Sequence, residues 1–170
     1  MNEVYSRTSY ELLEEAQVRA NKKLDEDVQV YTAGILARLF EGDICDMDKP
    51  LAIAYMESAS SDNVFVRVSG LKTVADGALV LAGLFPLFAE RKNVSITYFT
   101  EIGTNAYCDL GSNSKYGNAI FYKMYVDFVS VRNVLNKLME NRYTVEHMRK
   151  LTRAGYDTTL GDNIIVGPWQ

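Results

Sequence analysis

Histidine and cysteine are almost missing from this chain. Its 170 residues include one histidine, His147, and two cysteines, Cys45 and Cys108. A ferritin-like di-iron site needs two Glu-x-x-His pairs, and zincin or structural zinc sites also need more histidine or cysteine ligands than are present. Neither cysteine belongs to a C-x-x-C pair, so we expect both to be reduced. The sequence predicts no cofactor and no metal.

Motifs of catalysis and phosphate binding are also missing. The chain contains neither G-x-G-x-x-G nor G-x-x-x-x-G-K-[ST]. His147 would be the only imidazole base, and no serine or cysteine motif lies near it in the sequence. The sequence therefore favours a non-enzymatic protein, although it leaves the question of an enzyme open.

Long apolar runs are absent as well. The longest uncharged apolar stretch, Gly77 to Ala89, has 13 residues, whereas about 20 are needed to span a bilayer. The N-terminus carries Glu3 and has no apolar core of the kind that a secretory signal needs. We expect a cytoplasmic protein without membrane contact.

Basic residues are fewer than acidic residues in the whole chain, and the two kinds are unevenly distributed along it. With 18 Lys and Arg against 22 Asp and Glu, the net charge is −4, which argues against a nucleic-acid-binding protein. Residues 1–62 hold 6 basic and 13 acidic side chains, whereas residues 63–170 hold 12 and 9. We expect acidic N-terminal helices to pack beside a basic C-terminal helix, within one molecule or across a dimer.

What is present is a set of apolar patterns with helical spacing. At 48% hydrophobic the chain can bury a core, and we predict one all-α domain, a bundle of about six or seven helices over residues 1–155, with an extended C-terminal arm at 156–170. The predicted helices are a short one after Ser9, one from Asp25 to Gly42, one opened by Pro50, then Val64–Phe85, Ile96–Leu110, Tyr116–Glu140 and a basic helix from Thr144 to Gly155. Gly111–Ser114 is predicted to be a loop.

The predicted helix Val64–Phe85 carries few charges and is expected to be buried at the centre of the bundle. Asp76 within it must therefore find a cation or several N–H donors, because an unpaired buried carboxylate is costly. Lys72, four residues earlier, is one candidate partner; Arg67, or a cation or cap from another helix, is the other structural possibility. The functional alternative is a polar ligand pocket. Its residues would be Asp76, Tyr98, Glu101, Asn105 and Tyr107.

Four large apolar residues interrupt the otherwise polar C-terminal arm. Ile164, Ile165, Val166 and Trp169 need a groove to cover them. That groove could belong to the same subunit, but we predict a homodimer in which the arm contributes to the contact.

Several short segments in the middle of the chain form a recognisable pattern. They are Ala75-Asp76, Gly83-Leu84-Phe85-Pro86, Tyr98-Phe99, Gly103-Thr104-Asn105-Ala106-Tyr107 and Val134-Leu135-Asn136-Lys137-Leu138. With this pattern the chain resembles an uncharacterised family of helical bacterial proteins. In the family pattern glycine stands in place of Ala75 and a second tyrosine in place of Phe99. The resemblance covers residues 62–140 and implies an all-helical bacterial protein without an assigned activity or catalytic residue.

Two functional hypotheses follow. The first is a non-enzymatic cytoplasmic interaction or regulatory protein, favoured by the missing catalytic motifs and by the uneven charge. The second is a small-molecule-binding protein or enzyme that uses the pocket around Asp76.

Overall fold

The fold is an all-α bundle, as predicted. The computed structural model describes residues 3–42, 49–86, 94–112, 119–142 and 144–146, and these contain no strand. The helices whose bounds lie within the described residues are α1 (Glu3–Ala20), α2 (Glu26–Phe40), α3 (Leu51–Ala59), α4 (Val64–Leu84), α5 (Ile96–Ser112) and α6 (Ala119–Leu138). The C-terminal end of the predicted basic helix and the predicted arm at 156–170 lie outside the described residues.

Capping residues place most helix starts where the sequence predicts them. The Asp25 carboxylate accepts a hydrogen bond from the Asp27 N–H at 3.0 Å, and the Asn63 side chain accepts one from Val66 N–H at 3.2 Å. The Ser95 hydroxyl accepts a hydrogen bond from the backbone N–H of the third residue after it, also at 3.2 Å. Each bond satisfies an N–H that has no partner within its helix.

Two predicted helix starts are wrong. Ser9 lies inside α1 and is fully buried, because the apolar face of the helix extends upstream to Tyr5, whose ring packs against Phe40 at 6.5 Å. Thr144 is itself helical, and the Asn141 side chain accepts the hydrogen bond from its N–H at 3.4 Å.

The predicted loop also begins too early. Gly111 and Ser112 form the last two residues of α5 rather than part of a loop. Tyr122 of α6 lies so close to Gly111 that a Cβ atom there would fall 2.8 Å from the Tyr122 backbone nitrogen. The two helices therefore approach each other at their junction through this glycine.

Helix α4 is central, but only its C-terminal two thirds are buried. It packs against α3, α5 and α6, while α1 packs against α2 and α6. Its first buried residue is Leu71, so the prediction that the helix is buried from Val64 onward is wrong for its first two turns. Those turns lie at the edge of the core, where Val64, Phe65 and Val66 are exposed.

The acidic and basic parts of the chain meet within the molecule. The Lys123 ammonium of α6 lies 3.1 Å from Asp25 and 2.6 Å from Asp27 at the start of α2, and the Asn141 amide donates to Glu15 at 3.3 Å. The hydrogen bond from Lys123 lowers the pKa of the Asp25 carboxyl. These contacts join the acidic N-terminal part of the chain to α6, whereas the predicted basic helix from Thr144 to Gly155 lies mostly outside the described residues and its packing stays a prediction.

Candidate functional site

Asp76 lies at the centre of the bundle, on the buried part of α4. Its side chain is 4% exposed, which confirms the burial predicted from its apolar surroundings. A carboxylate at this depth is stable only when its lone pairs are matched by donors.

Four side chains supply those donors. The hydroxyls of Tyr31 and Tyr107 donate to Oδ1 at 2.8 and 2.7 Å. The Arg38 guanidinium and the Lys72 ammonium donate to Oδ2, each at 2.8 Å. Since an ionised carboxylate offers about four lone-pair positions, this arrangement, which we call the Asp76 cluster, leaves no oxygen lone pair for a ligand.

The cluster joins three helices. Tyr31 and Arg38 come from α2, Lys72 and Asp76 from α4, and Tyr107 from α5. Lys72 was one of the expected partners. Arg38 is a cation from another helix, a kind of partner that the sequence left open without naming the residue. Arg67 is not a partner, because its guanidinium donates to the Ser61 carbonyl at 2.9 Å.

Aromatic rings enclose the carboxylate on its inner side. Tyr31 and Tyr107 meet edge to face at 6.3 Å, and Phe121 lies 6.1 Å from Tyr31 and 6.4 Å from Tyr107. The Lys72 ammonium also lies 5.4 Å from the centre of the Tyr31 ring, within the range of a cation–π contact. The two cations reach the cluster from its outer side, where Arg38 is 41% and Lys72 33% exposed.

The environment keeps both tyrosines protonated. Burial, reinforced by the negative charge of Asp76, raises the pKa of Tyr31 and of Tyr107 well above the ordinary tyrosine value of 10.0. Neither hydroxyl is thereby activated as a base or nucleophile near neutral pH. The geometry supports a structural junction that holds three helices together.

The five-residue pocket expected from the sequence is not assembled by the described residues. Only Asp76 and Tyr107 meet. Glu101 and Asn105 are exposed, because α5 turns Gly103 and Tyr107 toward the core and therefore turns the residues two positions away from them outward. Tyr98 instead contacts α3.

Two tyrosines hold α3 against α5. The Tyr98 hydroxyl accepts a hydrogen bond from the Ala52 N–H at 3.3 Å, and the Tyr55 hydroxyl donates to Asp109 at 2.5 Å. Partial burial, together with the Asp109 hydrogen bond, raises the pKa of Tyr55 to about 12. Tyr98 thus has a packing role in this structure.

Sequence reasoning missed Tyr31 and Arg38 as partners of Asp76. The signal that could have found them is their spacing of seven residues, which places both side chains on one face of α2, two turns apart. Polar side chains are unusual on a helix face that packs into the core. A tyrosine and an arginine on such a face therefore indicate that a buried carboxylate of another helix accepts their hydrogen bonds.

A second feature of the surface is a group of exposed apolar side chains on α3 and the first turn of α4. We call it the α3–α4 patch. Its members are Ile53, Met56, Val64, Phe65 and Val66, of which Phe65 is 79% exposed. Helix α3 is apolar over most of its length, yet Leu51 is its one buried residue.

The described residues show neither a metal-ligand cluster nor a membrane-spanning helix. No group of three or more potential metal-ligating side chains occurs in the described part of the chain. In the same residues, no helix combines the length and apolar character needed to cross a bilayer. Comparisons of the chain with protein-family models, with curated proteins and with solved structures find no match. The predicted interface residues Ile164, Ile165, Val166 and Trp169 lie outside the described residues, as do His147 and Cys45.

Proposed function

We propose that this chain is a non-enzymatic interaction protein of the bacterial cytoplasm, and that it binds a second copy of itself through the α3–α4 patch. The observation that carries the proposal is the exposure of five large apolar side chains on two consecutive helices. Single exposed apolar residues are ordinary, whereas five on one pair of packed helices favour an interaction site.

The position of the patch supports this reading. Helices α3 and α4 pack on each other, and Gly70 of α4 lies so near Ser58 of α3 that a Cβ atom there would collide with the serine hydroxyl. The patch is therefore carried on a rigid helix pair. A rigid surface loses little conformational entropy on binding.

The charges around the patch favour a second copy as the partner. Lys49 and Arg67 are matched in number by Glu57 and Asp62, and Lys49 and Glu57 already pair at 3.0 Å. A patch of one sign would repel a copy of itself, whereas a neutral mixture allows opposite charges to meet across a two-fold axis.

The matched test compares two surface variants. We expect light scattering to show a dimer for the intact chain and a monomer for the Met56→Ser/Phe65→Ser double variant. Val126→Ser, on the exposed side of α6, is the control and should remain a dimer. Circular dichroism checks that all three are folded.

Two results would overturn the proposal. A monomeric intact chain excludes a second copy as the partner. A dimer that Val126→Ser disrupts, but the double variant does not, moves the interface to α6.

A further inference from the structure

A stripe of apolar side chains runs along the outer side of α6. Tyr122, Val126 and Val129 are 58%, 60% and 48% exposed. Tyr125 is partly buried beside them, and its ring lies 6.0 Å from the ring of Tyr122. Their spacing of three, four and seven residues places all four on one face of the helix, which we call the α6 face. An exposed apolar stripe of this kind favours a surface that another segment covers.

The C-terminal arm at 156–170 holds apolar side chains that need such a surface. The arm lies outside the described residues, and its sequence places Ile164, Ile165, Val166 and Trp169 among polar residues. Left in water, four large apolar side chains would forgo the free energy that their burial supplies. The α6 face offers two aromatic rings and two valines for them to pack on.

The α6 face lies within reach of the arm. Beyond the end of α6, the Asn141 N–H donates to the Leu138 carbonyl at 2.9 Å, and Val145 is still buried. The described chain therefore stays near the C-terminal end of α6 as far as Glu146. Nine residues, 147–155, precede the arm. Fully extended they cover about 30 Å, whereas Val129 lies only about 14 Å before Leu138 along the helix.

The α3–α4 patch is farther from the arm. A Cβ atom at Gly83 of α4 would touch Leu135 of α6, and one at Gly103 of α5 would touch both Ala78 of α4 and Phe128 of α6. Positions 78 and 83 of α4 thus lie beside positions 128 and 135 of α6, so the two helices run in the same direction. The patch at the start of α4 is therefore separated from the end of the described chain by the length of α4, about 30 Å.

Charge also favours the α6 face over the α3–α4 patch. The arm contains Asp157 and Asp162 but no Lys or Arg. Arg132 follows the α6 face along the helix, and its guanidinium donates to Thr100 and Asn133, each at 3.1 Å. No carboxylate of the described residues lies within ion-pairing distance of that guanidinium. The α3–α4 patch, bordered by equal numbers of acidic and basic residues, offers an acidic segment no net attraction.

We propose that the C-terminal arm docks on the α6 face of its own chain and runs back toward the start of that helix. In this direction Asp162 reaches Arg132 first, and Trp169 then reaches the rings of Tyr122 and Tyr125. The span from Arg132 to Tyr122 is about 15 Å along the helix, which the extended chain from Asp162 to Trp169 can cover. The α3–α4 patch stays free, so this contact is independent of the proposed self-association.

Tryptophan fluorescence of the intact protein tests the docking, because Trp169 is the only tryptophan in the chain. We expect emission at shorter wavelength, and weaker quenching by acrylamide, than in the urea-unfolded chain, since the docked indole is removed from water. Val126→Ser/Val129→Ser should shift the emission to longer wavelength and increase the quenching. Met56→Ser/Phe65→Ser makes a comparable change in the α3–α4 patch and is the matched control, which should leave both unchanged.

Two further measurements test the direction of the arm and the chain on which it docks. Asp162→Lys should shift the emission to longer wavelength, because Arg132 then repels the arm. Dilution of the intact protein should leave the emission unchanged, because a contact within one chain does not depend on protein concentration. Circular dichroism checks that each variant is folded.

Several results would overturn the proposal. Emission of the intact protein equal to that of the unfolded chain shows that the arm lies in water. Emission that Met56→Ser/Phe65→Ser shifts, or that Val126→Ser/Val129→Ser does not shift, places the arm on another surface. A shift to longer wavelength on dilution shows that the arm binds a second copy. Emission that is unchanged in Asp162→Lys contradicts the direction assigned to the arm.

Discussion

The Asp76 cluster shows how one buried charge can be compatible with an apolar core. The carboxylate accepts two hydroxyl and two cationic donors, and the cations retain contact with solvent on their outer side. Removing one charge from such a group leaves the others without their partner, which costs more than the intact arrangement contributes. The side-chain contacts that join α2, α4 and α5 at this point therefore all depend on Asp76.

The first prediction concerns that residue. Asp76→Asn keeps the shape of the side chain but removes the charge that Arg38 and Lys72 share, and its amide N–H₂ faces donors. We expect the free energy of unfolding to fall by about 2–4 kcal/mol, less than for a fully buried pair because both cations can turn toward solvent. Urea unfolding measures this change.

Asp109→Asn is the matched control for Asp76→Asn. Asp109 also accepts a hydrogen bond from a tyrosine, Tyr55, but it is exposed. Its substitution should cost less than about 1 kcal/mol. Equal losses in the two variants would show that the Asp76 cluster contributes no more than a surface contact.

The second prediction concerns the pH dependence of stability. Tyr31 and Tyr107 keep their protons in the folded protein at a pH where the unfolded chain loses them, near 10.0. Above that pH the unfolded state binds fewer protons than the folded state. The contribution of the two tyrosines to the free energy of unfolding is therefore complete below pH 10 and is lost as the pH rises. The slope should reach about 1.4 kcal/mol per pH unit for each tyrosine.

Urea unfolding between pH 9 and 11.5 measures that slope. Tyr31→Phe should reduce it by the contribution of one tyrosine, while Tyr122→Phe, on the exposed side of α6, controls for the loss of a hydroxyl. An unchanged slope in Tyr31→Phe would contradict the assignment of the alkaline loss to the Asp76 cluster.

At the scale of the helices, glycines set the distances between α4, α5 and α6. A Cβ atom at Gly103 of α5 would lie 2.5 Å from the Phe128 ring of α6. A Cβ atom at Gly83 of α4 would lie 2.7 Å from Leu135, which is also in α6. These helices therefore pack more closely than side chains at those positions would permit.

The third prediction compares two glycines in helix interiors. Gly103→Ala should lower the free energy of unfolding by about 1–3 kcal/mol, because the added methyl group forces the Phe128 ring to move. Gly34→Ala in α2 has open space around the new Cβ, so it should raise the free energy of unfolding by about 0.5–1 kcal/mol through helix propensity alone. Thermal and urea unfolding of both variants check the opposite signs.

At the scale of the whole molecule, self-association couples stability to protein concentration. A dimer formed only by folded chains is favoured by mass action, so the proposed contact through the α3–α4 patch should make Tm rise with protein concentration. The Met56→Ser/Phe65→Ser double variant should show the same Tm at every concentration. A concentration-dependent Tm in that variant would place the contact on another surface.

The sequence alone determined the fold class and most helix boundaries. This success has a local cause. The caps at Asp25 and Asn63 and the proline at position 50 act on the first turn of the helices that follow them. Helical spacing of apolar residues is likewise a local property. The same reasoning identified Asp76 as buried and paired, because its neighbours along α4 are apolar.

Only the tertiary structure decided which residues meet. Lys72 lies one turn from Asp76 and was predictable, but Arg38 and Tyr31 reach the carboxylate from a helix that begins 50 residues earlier in the chain. The rotation of α5 about its axis separated Glu101 and Asn105 from Tyr107, and the extent of the core left Phe65 exposed despite its apolar character. Helix propensity and spacing specify the elements, whereas their packing angles and rotations depend on contacts between residues that are distant in sequence.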